Sequence, residues 1–344
     1  MKIPTPSLPD VFSPLRGLLP LKMGLAELTR ARRTWGGAFA QPATPPGDSD
    51  LEEVATFGAN PGALRMLRFV PPGLPPGAPL VVVLHGCTQT AAGYDKGAGW
   101  STLAARHGFA LLYPEQVRSN NANLCFNWFE PGDITRGHGE VASIRSMVAA
   151  TVSSLRIDPA RIFVTGLSAG GAMTSALLAT YPDVFAAGAI IAGLPYGCAS
   201  STQEALGAMY HASARPASER GAAVRGASPV PQRKPIVSVW HGDADTTVVP
   251  ANAVEQAKQW CDVHGLLEQG GVTDTIDGAS HRSWADAGGT VRVELYTVPG
   301  LGHGTPLDPA APGDRGVGAP MPHMLEAGIS STWHIAQRWG LLVL

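Results

Sequence analysis

Six short apolar runs recur along the chain at intervals long enough to hold a helix: 80–84, 109–113, 161–165, 187–192, 236–240 and 291–298. Nearly continuous apolar strands spaced by helix-length segments are the mark of strands buried on both faces. They predict an α/β protein with a mostly parallel central sheet and helices on both faces. Two earlier runs, 51–57 and 64–70, alternate apolar and polar residues and are joined by Gly58-Ala59-Asn60-Pro61-Gly62, which predicts an antiparallel hairpin. The Pro/Gly/Asp-rich stretch 41–50 reads as a linker. The expected organisation is therefore a mobile N-terminal extension and linker over 1–47 and one catalytic domain over 48–344. A long connection over 193–234 has no strong strand pattern. It is expected to hold one helix (202–211), and either to cover the site or to run over the surface.

A length of 344 residues with 44% hydrophobic content suffices for one large core. The net charge is −2, with Lys and Arg scattered, so neither nucleic acid nor an anionic membrane is an expected partner. None of the apolar runs approaches the roughly 18 residues of a membrane span. The first forty residues hold no apolar core of signal-peptide length, and Arg32-Arg33 precede only a short Gly/Ala stretch.

In an open parallel sheet, chemistry collects on loops beyond the carboxyl ends of the strands. The run 161–165 enters Gly166-Leu167-Ser168-Ala169-Gly170, followed by good helix formers. This strand, G-x-S-x-G, helix order is that of a nucleophile elbow, with Ser168 as nucleophile. Such a serine needs a base and an orienting acid, which follow it in chain order in this fold. The polar loop after 236–240, His241-Gly-Asp243-Ala-Asp245, offers two acids. Asp245, further beyond the strand, is the expected partner, while Asp243 is placed to cap the turn. His241 is expected to organise the loop. Of the five later histidines, His303 lies just past an alternating strand, in a glycine-rich loop, and is the expected base; His323 and His334 fall where a last helix is expected. The oxyanion donors are then the amides of Ala169 and of Cys87, the latter on the loop after 80–84, with His85 anchoring that loop. The mechanism needs no metal or organic cofactor.

The motifs LHGCTQ, CFNWF, GLSAGGAMT, HGDADTTV and GLGHGTP, with the closing MLEAGISSTWHIAQRWGL, resemble the poly(3-hydroxybutyrate) depolymerase family of esterases over roughly 50–344. The resemblance implies an α/β-hydrolase domain, the triad Ser168, Asp245 and His303, and cleavage of hydroxyalkanoate polyesters, oligomers or related carboxylic esters. Feruloyl and acetylxylan esterases share this part of the superfamily and are the alternative reading. A catalytically dead binding protein would be expected to lack a triad member, and a peptidase would need an added domain.

An apolar repeating ester calls for an apolar groove, so Asn127 and Trp128 of the CFNWF loop, and Trp284, are the candidate substrate contacts. Of the four cysteines, Cys87 and Cys125 lie on loops leaving strands expected to be neighbours, and related family members also suggest a disulfide there. Cys198 with Cys261 would be the second pair; four reduced cysteines are the alternative. Pairing implies an extracellular or periplasmic location, and its absence a cytoplasmic one.

Overall fold

The computed structural model describes residues 49–230 and 233–343, so the expected extension over 1–47 lies outside the described residues. In chain order the elements are β1 (Glu52–Glu53), β2 (Arg65–Phe69), β3 (Leu80–Leu84), α1 (Ala91–Ala98), α2 (Trp100–His107), β4 (Ala110–Glu115), α3 (Pro131–Ile134) and α4 (Gly139–Leu155). There follow β5 (Ile162–Leu167), α5 (Ala169–Thr180), β6 (Ala187–Ile191), α6 (Thr202–His211), α7 (Ala217–Gly226), β7 (Ile236–Gly242) and α8 (Ala251–His264). The chain closes with β8 (Val272–Ile276), β9 (Ala279–Ala285), β10 (Val291–Val298), β11 (Thr305–Leu307), β12 (Met324–Glu326) and α9 (Ser331–Arg338).

The six apolar runs are the six parallel strands β4-β3-β5-β6-β7-β10. Antiparallel strands flank them on both sides: β2 and β1 beside β4, and β9 and β8 beside β10. The hairpin β1–β2 is therefore present, although its first strand pairs over two residues only. The outer pair β8–β9 escapes an apolar-run reading because β8 (VTDTI) is almost wholly exposed. An edge strand needs no buried stripe to hold its backbone bonds.

Alternation within the strands sorts the two faces. Val81, Val83, Leu111 and Phe163 join α1, α2 and α9 in one aromatic-rich cluster, where Trp339 stacks on both Trp100 and Phe163. The opposite face takes α4 against β4, α5 against β5 and β6, and α8 against β7 and β10. This is the α/β-hydrolase architecture, and it leaves the loops after β3, β5, β7 and β10 at one edge of the sheet.

The long connection holds α6 over the expected 202–211 and a second helix, α7, that the pattern did not suggest. Its contacts run to α8. Gln259 bonds both the amide and the carbonyl of Tyr196, Gln256 reaches the Gly193 carbonyl, and a buried Arg220–Glu255 ion pair ties α7 down.

Cys198 and Cys261 do not pair, contrary to expectation; both are free. The cause is helical phase. Gln259 faces the segment that carries Cys198, and Cys261, two residues on at roughly 100° per residue, points to the other side of α8. There burial and the nearby Glu268, against the opposing pull of Arg282, push its thiol up to about 12. Cys87 and Cys125 form a disulfide, spanning 38 residues of chain.

Candidate active site

Ser168 is the residue between β5 and α5, and its backbone is held at φ 57°, ψ −117°, a region a serine enters only under constraint. The constraint is steric. A Cβ on Gly170 would lie 2.5 Å from the carbonyl oxygens of both Leu84 and His85, and one on Gly166 2.5 Å from the Gly170 carbonyl. Strand, turn and helix can close on one another only with glycine at these flanks. The Ser168 amide donates to the Ile191 carbonyl at 2.9 Å, pinning the turn to the end of β6.

Ser168 is also the N-cap of α5, so the first free amides of the helix surround it. The Ala169 N–H is one of them. On the loop after β3, the Gly86 N–H donates to Gln89 Oε1 and the Thr88 N–H to the Asn123 carbonyl. The Cys87 N–H between them has no partner among the described residues. Two unpaired amides, with the positive end of a helix dipole, are what an oxyanion requires. His85 anchors this loop as expected: its Nδ1–H donates to the Gly86 carbonyl, and its Nε2 accepts the Gln116 N–H.

The expected acid and base come from the loops after β7 and β10. His303 Nδ1–H donates to Asp245 Oδ2 at 2.7 Å, and both side chains are buried. Asp245 Oδ1 accepts the amides of Thr247 and Val248 at 2.8 and 2.9 Å. His241 Nε2 lies 3.3 Å from Oδ2 and donates to the Val248 carbonyl. Burial opposes ionisation of Asp245. Hydrogen bonds from His241 and His303, with the attraction of the two imidazoles, outweigh it and hold the carboxyl well below the usual range. Asp243 serves differently from the expected turn cap: its carboxylate accepts the Gly300 amide at 2.6 Å, bracing the loop that carries His303. None of the described hydrogen bonds joins Ser168 Oγ to the imidazole, a looseness common in free enzymes before substrate draws the pair together.

The disulfide fastens the Cys87 loop to the CFNWF loop, and Phe126 packs its ring 4.9 Å from that of His85. Trp128 is buried here, edge-on to Phe129. The Asn127 side chain is occupied at both ends, donating to Asp133 and accepting from Asn121, and its amide donates to Glu140. It organises the loop. Beneath it the Glu140 carboxyl is pushed up to about 8 by burial and by Asp133, against the hydrogen bonds from Asn127 and Gln116.

Trp284 is not brought to the site. It pairs with Val293, near the start of β10 and thus at the end of that strand remote from His303; its indole N–H donates to the Glu268 carbonyl. Sequence spacing placed it shortly before the base strand, but the intervening turn returns the chain antiparallel. His323 moves the other way. It is not helical but sits in a closed turn between Met321 and Met324, with its ring 5.8 Å from that of His303. His334 is in α9 as expected.

The esterase PHB depolymerase family model matches residues 65–280. The chain is 47% identical over 293 residues to poly(3-hydroxyalkanoate) depolymerase C of Paucimonas lemoignei, covering 85% of this chain and 70% of that protein. It is 32% identical over 269 residues to feruloyl esterase B of Talaromyces stipitatus, covering 76% of this chain and 74% of that one. Among solved structures, an acetyl xylan esterase from Aspergillus awamori superposes with a TM-score of 0.71 at 25% identity, covering 86% of this chain and all of that one. The α/β-hydrolase sheet, the serine elbow and the family match lead to one conclusion: this chain belongs to the esterase PHB depolymerase family and is a hydrolase of ester bonds.

Proposed function

We propose that the chain hydrolyses esters of short hydroxyalkanoic acids through an acyl-enzyme on Ser168. The observation that carries this reading is the 2.7 Å bond from His303 Nδ1 to a carboxylate kept ionised. It reserves the other nitrogen, Nε2, as a proton acceptor on the sheet edge where Ser168 sits. The Ser168 Oγ–H proton passes to Nε2 as the Oγ–C bond forms, and the oxyanion is held by the amides of Ala169 and Cys87. Collapse breaks the ester C–O bond, and the leaving alkoxide takes the proton from the imidazolium. Water repeats the sequence and releases the acid.

The 47% identity to a polyhydroxyalkanoate depolymerase supports hydroxyalkanoate polyesters or oligomers as the substrate class, with Trp128 lining an apolar acyl site. The Cys87–Cys125 disulfide supports work in an oxidising compartment, outside the cytosol. Residues 48–344 would form the catalytic domain.

Purified protein is given 3-hydroxybutyrate oligomers, amorphous polymer, a feruloyl ester and an acetylated xylan, with release of acid measured. Release from the oligomers at the highest kcat/KM is expected. A preference for the acetyl or feruloyl ester would reassign the substrate. Ser168→Ala should lose on the order of 10⁶ in turnover; substantial remaining activity would move the nucleophile elsewhere.

A further inference from the structure

We propose that His323 is a positioning residue for the catalytic base, holding the main chain of His303 so that its ring, bonded to Asp245, stays in register with Ser168. This inference rests on the triad reading above and adds a residue that no triad template includes.

The base rides on a loop with little rigidity of its own, Pro299-Gly-Leu-Gly-His303-Gly304. At its start the loop is braced by Asp243, which accepts the Gly300 amide, and by the Ala244 N–H, which donates to the Leu301 carbonyl. Beyond Leu301 the braces come from a different part of the chain. His323 Nδ1–H donates to the carbonyl of His303 itself at 3.1 Å, and the Thr305 amide donates to the His323 carbonyl at 2.8 Å. His323 thus bonds the chain on the base and just after it, while Asp245 holds the ring. Gly304 completes the contact, because a Cβ there would meet the His323 carbonyl at 2.8 Å.

The turn that presents His323 is itself built for rigidity. Met321 and Met324 exchange both backbone bonds across it, at 3.2 and 2.8 Å. His323 is held at φ 64°, a left-handed conformation unusual for histidine. Met321 and Met324 pack on Gly97 of α1 so tightly that a Cβ there would lie 2.9 Å from Met321 Sδ and 2.5 Å from Met324 Cγ. Gln89, whose side chain shapes the Cys87 loop, reaches the Pro322 carbonyl at 3.4 Å. One turn therefore spans from the oxyanion loop to the base. Burial, with His303 close by, lowers the His323 pKa against the pull of the carbonyl it bonds and of Asp245.

The test uses the full chain and two substitutions. His323→Phe keeps the ring volume and removes the donor. His323→Asn restores a donor near Nδ1, and asparagine accepts a left-handed backbone readily. With p-nitrophenyl butyrate, His323→Phe should lower kcat on the order of 10²-fold, the scale of a misplaced reacting group, with KM unchanged within about twofold. His323→Asn should recover most of kcat. In a Ser168→Ala background, the low-field proton resonance of the His303–Asp245 bond should broaden or vanish with Phe and persist with Asn. Full kcat in His323→Phe overturns the proposal, as does a loss confined to KM or an equal loss in both variants. If His323→Phe fails to fold, the Asn variant alone decides, since an intact fold with a lost resonance contradicts the tether. Activity surviving in Ser168→Ala would instead strike the triad reading and leave this contact untouched.

Discussion

Ser168 sits where β5 passes directly into α5, and the groups that define its position, Gly166, Gly170 and the Ile191 carbonyl, lie in or beside that strand-to-helix crossing. His303 sits on a glycine-rich loop, and its position is set by residues distant in sequence: Asp243 and Asp245 from the loop after β7, and His323 from a turn twenty residues on. Ser168 is placed mainly by excluded volume, with one backbone bond to Ile191, and is allowed almost no adjustment. His303 is placed by directional hydrogen bonds, each worth only about 1–3 kcal/mol net, so it is held by several at once. The difference suits the chemistry. In the proposed mechanism the serine must stay in one place, whereas Nε2 of the imidazole must take a proton from Ser168 and return it to the leaving group.

The comparison predicts unequal sensitivity. Asp245→Asn, which removes the carboxylate that selects the His303 tautomer, should cost on the order of 10⁴ in turnover, the scale seen for the same change in serine proteases. Asp243→Asn keeps an oxygen for the Gly300 amide and should cost about tenfold at most. Steady-state kinetics on the two variants decides between them, and the reverse ranking would exchange the roles of the two acids. Because Asp245 is held ionised well below the usual carboxylate range, its stabilising contribution is present above the unfolded carboxylate pKa. That contribution is lost only under strong acid. Loss of activity on mild acidification therefore reports protonation of an imidazole, and a profile flat from about pH 5 to 8 would argue against a histidine base.

On the nucleophile side, Gly170→Ala forces a methyl group to within 2.5 Å of two carbonyl oxygens. It should destabilise by about 1–3 kcal/mol, the scale of an overpacked core, and disable the elbow together with the fold. Thermal unfolding with matched kinetics checks this, and a variant of normal stability and activity would remove excluded volume as the cause.

Where the Cys87 loop is held covalently, a comparable loss of stability is expected with a smaller effect on turnover. Cys87→Ser with Cys125→Ser opens a 38-residue span and should cost about 2–4 kcal/mol of stability. Turnover should fall less than in Asp245→Asn, because His85 still anchors the loop. Urea unfolding of the double variant reads this directly. The smallest effect concerns Glu140. Its carboxyl is raised to about 8, so the protonated form stabilises the CFNWF loop at low pH, and that contribution declines between the ordinary carboxylate value and about pH 8. Hydrogen exchange in residues 121–130 should quicken as pH rises through that window, after correction for intrinsic rates, and Glu140→Gln should flatten the dependence.

Much of this was legible from residue pattern alone. The six parallel strands, the hairpin before them, the elbow around Ser168 and the pairing of His303 with Asp245 rather than Asp243 all follow from local signals: apolar runs, glycine spacing and the order of groups along the chain. The Cys87–Cys125 bond was one of two readings, suggested by loops leaving neighbouring strands together with the family resemblance, and the structure contains it. What stayed hidden shares one property. Cys198 and Cys261 were kept apart by the phase of α8, Trp284 was carried to the far end of the sheet by an antiparallel return, and His323 came to the base from a turn with no motif of its own. A local signal specifies what one segment does with its own backbone, and here that was enough for the strands, the elbow and the order of the triad. Which side chains from distant segments meet depends on the rotation of a helix by single residues and on the direction in which an edge strand returns. Those angles are set by packing between elements, where a shift of one residue turns a helical side chain by about 100°, so only the tertiary structure decided that Asp243 would brace the Gly300 amide and His323 the carbonyl of His303.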